Sequence, residues 1–276
     1  MTTKKLCLAS LIAIMTMFFS CSRGEKKSGG NEDQASISSL ADINSKSNKK
    51  ISDPLLLPAL MNTPQEQLLV RTGYITSYNK TTRLPNWVAW HLTASHTNGP
   101  HTRKGRQFRE DHEVPSPRAY DSDYRGSGYD RGHMCPSGDN RWDSKAQDDT
   151  FIFTNICPQS HNLNEGVWND LEMKCREWAK RYGDIYIVCG PIIRQGNHKT
   201  IGRNKVVVPD AFFKVVLCTK GSPKAIGFIY ENEDGYKPMK YYMRTVDEVE
   251  RITGIDFFPA LPDNIEKKIE AEKIML

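Results

Sequence analysis

The sequence lacks several features that would place it in a common class. It has no Cys-x-x-Cys pair, which argues against a structural zinc site. Its longest apolar run, residues 6–19, is shorter than the roughly 20 residues that a membrane-spanning helix needs. There is no internal repeat, and the formal net charge is only +5 over 276 residues. This mild excess permits a polyanionic partner without indicating one.

The N-terminus has the pattern of an export signal. Lys4 and Lys5 precede the apolar run, and Ser20 precedes Cys21. This pattern is typical of a bacterial lipoprotein signal, in which cleavage leaves a lipid-carrying cysteine, although Phe18 stands where a leucine is usual. We expect residues 1–20 to be a signal peptide and the protein to be exported and anchored to a bacterial membrane through a lipid on Cys21. The alternative is a cleaved secretory peptide, with the protein secreted.

The rest of the chain divides into a tether and one domain. Residues 21–64 are mostly polar, which predicts a flexible tether. The apolar patch Leu55-Leu56-Leu57 would be the first piece docked on the domain. Residues 65–276 are enough for one sizeable core.

The apolar pattern of this domain predicts an α+β fold, with a mainly antiparallel sheet and packed helices. Residues 166–182 carry a helical apolar stripe, and Thr245 with Glu248 forms a capping box for a second helix. Residues 95–129 read as a long, functional loop. The predicted strands are residues 73–78, 86–92, 151–154, 185–189, 205–208, 212–217 and 225–230.

The cysteines leave two interpretations open. Five remain after residue 21, an odd number for an exported chain: Cys135, Cys157, Cys175, Cys189 and Cys218. They could form two disulfides with one free thiol, or they could all be buried thiols.

The run Asp130-Arg131-Gly132-His133 is the first candidate for chemistry. A histidine titrates near neutral pH and can accept a proton from water, although a lone histidine is more often a packed or surface residue. Gly132 permits a close backbone approach. Asp130 and Arg131 offer charge and hydrogen bonds that would orient the ring.

A second group of candidates follows about thirty residues later. The amide oxygen of Asn164 is a donor suited to Mg²⁺, and the alternative is a plain helix cap. Glu172 and Arg176 lie one helical turn apart on the same face, where they could both serve the site. The alternative is an ordinary ion pair on the helix surface, which has the same spacing. A straight helix would separate Asn164 from Glu172 by about 12 Å, so they share one hydrated metal only if Asn164 lies in a loop that folds back.

Basic residues cluster in residues 103–109 and 174–181. Such runs are usually solvated faces, but two runs flanking a suspected site favour phosphate contacts.

These blocks together resemble the sugar-non-specific DNA/RNA endonucleases, a family that includes bacterial extracellular nucleases and mitochondrial endonuclease G. The resemblance covers residues 70–265 and implies a ββα-metal active site. It rests on Asp130-Arg131-Gly132-His133-Met134, Thr154-Asn155-Ile156, Pro158-Gln159, Leu163-Asn164, Gly166, Trp168, Leu171-Glu172, Gly190-Pro191, Val208-Pro209, Ala211-Phe212-Phe213-Lys214-Val215 and residues 245–250.

The resemblance also implies roles. It makes the chain an endonuclease that hydrolyses DNA and RNA to 5′-phosphate products with Mg²⁺, for which Mn²⁺ can substitute. His133 would be the general base, Asn164 the direct metal ligand, and Glu172 the carboxylate that holds metal-bound water. The remaining roles are phosphate binding by Arg176, transition-state stabilisation by Arg106, and support of the site by Arg131, Asp130, Asn155 and Gln159.

Two rival functions stay open from the residues. A surface lipoprotein that binds nucleic acid without cutting it would keep its affinity without His133. A metal-dependent hydrolase of another phosphoester would cleave a small chromogenic diester.

Overall fold

The structure is a computed structural model that describes residues 51–59, 61 and 65–276. The predicted signal peptide, Cys21 and most of the predicted tether lie outside the described residues. Within these described ranges, no helix has the length and apolar character needed to cross a membrane.

The described part of the chain is α+β, as predicted. Its strands are β1 (Glu66–Val70), β2 (Ile75–Asn79), β3 (Leu84–Thr93), β4 (Asp130–His133), β5 (Ile156–Gln159), β6 (Asp184–Ile192), β7 (Thr200–Ile201), β8 (Val206–Val207), β9 (Ala211–Cys218), β10 (Lys224–Glu231) and β11 (Met243–Arg244). Its helices are α1 (Asp121–Tyr124), α2 (Ser144–Asp149), α3 (His161–Leu163), α4 (Asn169–Tyr182), α5 (Val246–Thr253) and α6 (Asp263–Glu270).

Seven strands form the central antiparallel sheet, in the order β1-β2-β3-β6-β9-β10-β11. Two smaller sheets pair β4 with β5 and β7 with β8. The central strands are apolar on both faces because both faces are covered. In β9, Phe212 and Val216 enter one core cluster while Phe213 and Val215 enter another. Lys214 shares the face of Phe212, since side chains alternate along a strand.

Helices and loops cover the two faces of the sheet. On the first face, α4 packs through Leu171, Cys175 and Trp178, the apolar stripe predicted from the sequence. On the second face lie α5, α6 and residues 51–59, with Leu57 buried. The patch at residues 55–57 is thus docked as expected, and residues 51–59, which the sequence assigned to the tether, pack on the domain.

Several local predictions are confirmed and others are wrong. β2 and β3 form the predicted hairpin, and Thr245 and Glu248 form the predicted capping box. Residues 151–154 are not a strand; Phe153–Asn155 is a 3₁₀ turn and the strand follows it as β5. Residues 151–154 are buried, and their one strand-like contact in the described part of the chain is an isolated bridge between Ile152 and Arg109.

The five cysteines between residues 135 and 218 are all buried thiols without disulfides. The structure therefore selects the second of the two interpretations that the sequence left open. They pack as small apolar side chains in the core.

Candidate active site

Two short strands and a helix carry most of the predicted site. β4 and β5 pair antiparallel, with Asp130 opposite Gln159 and His133 opposite Ile156. The chain then enters α3 and α4. This strand-strand-helix unit is the ββα arrangement expected from the resemblance, and it brings His133 at the end of β4 beside the start of the helical segment.

Gly132, Asn155 and Gln159 fix the backbone of this unit. A Cβ atom on Gly132 would lie 2.2 Å from Oε1 of Gln159, so only glycine fits beside that buried side chain. Asn155 is buried and accepts from the Cys135 amide at 2.9 Å while donating to the Cys135 carbonyl at 2.9 Å. Asn155 and Gln159 therefore support the strand that ends in His133.

One open cavity of about 830 Å³ brings the predicted residues together. Four arginines, three carboxylates and two asparagines line it, so its surface is polar and carries charges of both signs. Its lining is Thr102, Arg103, Phe108, Asp130, Arg131, His133, Pro136, Ser137, Gly138, Arg141, Asn164, Glu165, Asn169, Glu172 and Arg176.

His133 lies between two phenylalanine rings. The ring centroids of Phe108 and Phe151 are 5.3 and 5.1 Å from that of His133, and its Nε2 is buried without a hydrogen-bond partner. Burial, reinforced by the positive charge of Arg103, lowers the pKa of His133 to about 3. The imidazole is consequently neutral at pH 7, the state that a proton acceptor requires.

Asn164 is held by Asp130. The amide nitrogen of Asn164 donates to Oδ2 of Asp130 at 3.0 Å, and Nδ1 of His161 lies 2.9 Å from the same oxygen. Because the nitrogen is engaged, the amide oxygen of Asn164 is the atom left to meet a ligand.

A break in the helix lies between Asn164 and Glu172. Residues Asn164–Trp168 form a π-helical segment in which Gly166 has non-helical dihedrals, φ −96° and ψ −115°. The regular helix begins only at Asn169, not at residue 166 as predicted. Asn164 thus lies in a distorted helical segment and not in the loop that the sequence analysis required, yet both residues line the same cavity. Burial raises the pKa of Glu172 to about 7, against the lowering effect of Lys214.

A buried carboxylate orients Arg176. The guanidinium of Arg176 donates to Oδ1 of Asp139 at 3.0 Å, and Nε1 of Trp90 donates to its Oδ2 at 3.1 Å. The Asp139 side chain is only 1% exposed, so Arg176 compensates its charge. An arginine fixed in this way at a cavity wall can meet an anionic ligand without losing much conformational freedom.

Lys214 lies beneath this part of the site. Its side chain is fully buried, and its Nζ is 4.3 Å from the ring centroid of Trp168 and 5.6 Å from that of Trp90. Burial alone would lower the pKa of Lys214, but neighbouring groups that include Glu172 and Asp139 raise it. The ammonium therefore stays charged and supplies buried positive charge behind both carboxylates.

Arg131 is also fixed in the cavity wall. It forms an ion pair with Asp121 of α1 at 2.7 Å. Its guanidinium lies 5.6 Å from the Phe108 ring and 5.8 Å from the Tyr124 ring. These contacts hold its guanidinium at the wall of the cavity.

Arg106 is not brought to the cavity. Its guanidinium is bound to Asp148 in α2 and donates to the Thr102 carbonyl at 2.9 Å. Arg103, three residues earlier in the same basic run, lines the cavity instead. The structure thus places Arg103 in the cavity lining and leaves Arg106 outside it, paired with Asp148.

Comparison with known proteins decides the family. The family model for "DNA/RNA non-specific endonuclease" matches residues 54–264. The chain belongs to this family. Its relatives include the mitochondrial nuclease EXOG of Homo sapiens, 36% identical over 69% of the chain, and the Nuclease of a Nostoc species, 33% identical over 76% of the chain and 80% of the relative. The chain spans 56–60% of the length of the EXOG relatives of Homo sapiens and Danio rerio.

The fold comparison agrees. A crystal structure of an EndoG/EndoGI complex matches with a TM-score of 0.70 at 28% identity, covering 75% of this chain and 92% of the other. The antiparallel sheet with its packed helices is thus shared with a member of the non-specific endonuclease family.

The donor atoms in this endonuclease-family site fit a hard divalent cation. Asn164 offers an amide oxygen, and Asp130 and Glu172 offer carboxylate oxygens to the same cavity. Mg²⁺ prefers oxygen donors, retains several waters and often takes few direct protein ligands. A donor set with one well-oriented amide and nearby carboxylates meets these demands.

Four residues of the site were missed from the sequence as site residues: Arg103, Asp139, Arg141 and Lys214. Lys214 carried a signal, since a lysine inside an otherwise apolar strand is rarely buried without a role. Asp139 and Arg141 follow the Asp130-to-His133 run within ten residues, but nothing in their spacing indicates that Asp139 pairs with Arg176 or that Arg141 lines the cavity.

Proposed function

We propose that this protein is a metal-dependent endonuclease that hydrolyses phosphodiester bonds of both DNA and RNA. One observation carries the proposal: a neutral His133, the oriented amide of Asn164 and the fixed guanidinium of Arg176 line one cavity. These are a proton acceptor, an oxygen donor and a phosphate-binding cation within one site.

The mechanism follows from these residues. His133 removes a proton from a water molecule, which attacks phosphorus as the bond to the 3′ oxygen breaks, and the departing 3′ oxygen takes up a proton from a second water molecule. Arg176, Arg103 and Arg131 neutralise the negative charge that grows on the phosphoryl oxygens. Asn164 would hold Mg²⁺ directly and Glu172 would hold it through water, with Mn²⁺ as a substitute. When bound, the ion supplies positive charge for the phosphoryl and leaving oxygens.

The same chemistry explains a broad substrate range. A water nucleophile does not need the ribose 2′-hydroxyl, so both polymers are substrates. The cationic groups in the cavity are suited to phosphate rather than to base edges, which gives little sequence specificity and a marked dependence on salt. The products carry 5′-phosphate and 3′-hydroxyl ends.

Digestion of supercoiled plasmid and of a folded RNA, with Mg²⁺ and with excess EDTA, tests this function. We expect both polymers to be cut with Mg²⁺ only, and the end groups to be 5′-phosphates. A folded protein that shifts either polymer in a gel without cutting it would instead be a nucleic-acid-binding protein. Cleavage of a chromogenic diester without cleavage of either polymer would indicate a different phosphoesterase.

We also propose that the protein is exported and anchored through a lipid on Cys21. The support lies in residues 1–21, where two lysines, a fourteen-residue apolar run and Ser20 precede the cysteine. Metabolic labelling with a fatty acid in a bacterial host tests the proposal. We expect label in the membrane fraction for the full chain and none for Cys21→Ser, whereas a label-free, released wild type would make the signal an ordinary secretory one.

A further inference from the structure

A cluster of carboxylates lies on the second face of the sheet, at the junction of α5 and α6. Ligand oxygens of Asp247 and Glu250 on α5 and of Glu270 at the end of α6 all lie within 4.8 Å of one another. The nuclease cavity is on the first face, and none of these three residues lines it. Three acidic side chains from two helices thus converge at a site that the proposed reaction does not use.

Burial makes this convergence unusual. Glu270 is only 6% exposed, and its Oε1 is buried without a hydrogen-bond partner. In the described part of the chain, no lysine, arginine or histidine forms an ion pair with any of the three residues. Among the described residues, one side-chain hydrogen bond is made to the cluster: the Phe257 amide donates to Oε1 of Glu250 at 2.8 Å. Exposed acidic groups commonly lack a partner, but a buried carboxylate oxygen without one is strongly unfavourable.

The surrounding charges are of the same sign. The carboxylates of Glu250, Glu266, Asp256 and Asp247 all lie close enough to Glu270 to repel its charge. A carboxylate in this position needs either a proton or a cation. A proton would neutralise only one of the converging groups, whereas a divalent cation would satisfy all three.

We propose that Asp247, Glu250 and Glu270 bind a Ca²⁺ ion that ties α6 to α5. Ca²⁺ binds carboxylate oxygens at about 2.3–2.6 Å and tolerates irregular geometry, so ligands on opposite sides of one ion lie up to about 5 Å apart. Mg²⁺ binds at about 2.0–2.1 Å, which limits that separation to about 4.2 Å. The three ligand oxygens lie within 4.8 Å of one another, a bound that admits either ion. Mg²⁺ usually retains several waters and binds through one or two carboxylates, so three converging carboxylates favour Ca²⁺.

Two of the three proposed ligands, Asp247 and Glu250, lie within the residues that the family model matches, and the third does not. The family model ends at residue 264, so Glu270 lies beyond the residues that the match covers. The ion would stabilise the packing of α6, whose Ile269 is buried in the core cluster of the second face. Ca²⁺ would therefore act on stability, separately from the Mg²⁺ proposed for catalysis.

The test measures Ca²⁺ binding to the full chain carrying Asn164→Ala, which removes the direct ligand proposed for the catalytic metal. Isothermal titration and thermal unfolding are followed against added Ca²⁺ in that background and with Glu270→Gln or Asp247→Asn added. Asp263→Asn is the matched control, since Asp263 lies on the same helix, is 72% exposed and is outside the cluster.

We expect one Ca²⁺ per chain, a saturable rise in Tm, and at least a tenfold loss of affinity in Glu270→Gln and Asp247→Asn but not in Asp263→Asn. Three results would overturn the proposal. They are no binding to the Asn164→Ala chain, an affinity that Glu270→Gln leaves unchanged, and tighter binding of Mg²⁺ than of Ca²⁺. No binding, together with a Tm that Glu270→Gln leaves unchanged in the absence of any cation, would identify a protonated Glu270 in place of a cation site.

Discussion

Asn164 donates its amide hydrogen to Oδ2 of Asp130 at 3.0 Å, and this single bond determines which atom of Asn164 remains for a metal ion. We predict that Asp130→Ala weakens Mg²⁺ binding by about 10–100-fold, the usual effect of losing a residue that orients a ligand. The measurement is the Mg²⁺ concentration for half-maximal cleavage. His161→Ala is the control because it removes the other contact of Asp130 and leaves the Asn164 contact in place. An unchanged Mg²⁺ requirement in Asp130→Ala would contradict this role.

Lys214 should be important for folding. Replacing it with methionine keeps much of its volume but leaves Glu172 without the buried ammonium behind it, while Asp139 keeps the charge of Arg176. Uncompensated buried charge typically destabilises a protein by about 3 kcal/mol or more, so we expect a loss of that order in urea unfolding. Lys180→Met, at an exposed position of α4, should change stability little. Equal stabilities of the two variants would show that Lys214 does not compensate these carboxylates.

The low pKa of His133 predicts a pH-dependent contribution to stability. The folded state binds the proton only near pH 3, whereas an unfolded histidine binds it near pH 6.5. Between these values the unfolded state holds more protons, so stability is present above pH 6.5 and is lost as the pH falls. His133→Phe keeps an aromatic ring but cannot titrate. As the pH falls from 7 to 4, the wild type should lose stability relative to His133→Phe, by at most about 1.4 kcal/mol per pH unit. If the free energies of unfolding of the two proteins changed equally with pH, the imidazole of His133 would not be buried and neutral.

Arg103 and Arg106 should behave differently. Arg103 lines the cavity, so Arg103→Ala should raise the KM for nucleic acid and make its salt dependence less steep, by about one in the log–log slope. Arg106 is bound to Asp148 in α2, so Arg106→Ala should lower thermal stability and keep the wild-type salt slope. Cleavage rates across a range of NaCl concentrations separate the two. A less steep salt dependence in Arg106→Ala, with an unchanged one in Arg103→Ala, would show that Arg106 and not Arg103 contacts the substrate.

The sequence was sufficient where the signal was local or tied to a motif. The residue types of His133, Asn164, Glu172 and Arg176 indicated their chemistry, and the structure brings all four to one cavity. The capping box at Thr245 is likewise a contact over three residues. Short-range signals of this kind do not depend on how the rest of the chain folds.

Non-local contacts explain what the sequence missed. Asp139 meets Arg176 across 37 positions, and Lys214 reaches the site from a strand of the central sheet. The apolar run at residues 151–154 could be any buried segment, since a short run does not distinguish a strand from a turn. The distorted helical segment at Asn164–Trp168 was not predicted, because no pattern in these residues indicated it; the sequence suggested a loop at Asn164 instead.

The most direct test of the account is the rate of cleavage of plasmid DNA and of RNA by His133→Ala under saturating Mg²⁺. His112→Ala is the matched control, because His112 is an exposed histidine outside the cavity. We predict that His133→Ala lowers kcat on both polymers by about 10²–10⁴-fold, as expected when a general base is removed, while His112→Ala retains the wild-type rate. Wild-type cleavage of either polymer by purified, folded His133→Ala would contradict the assignment of His133 as the general base.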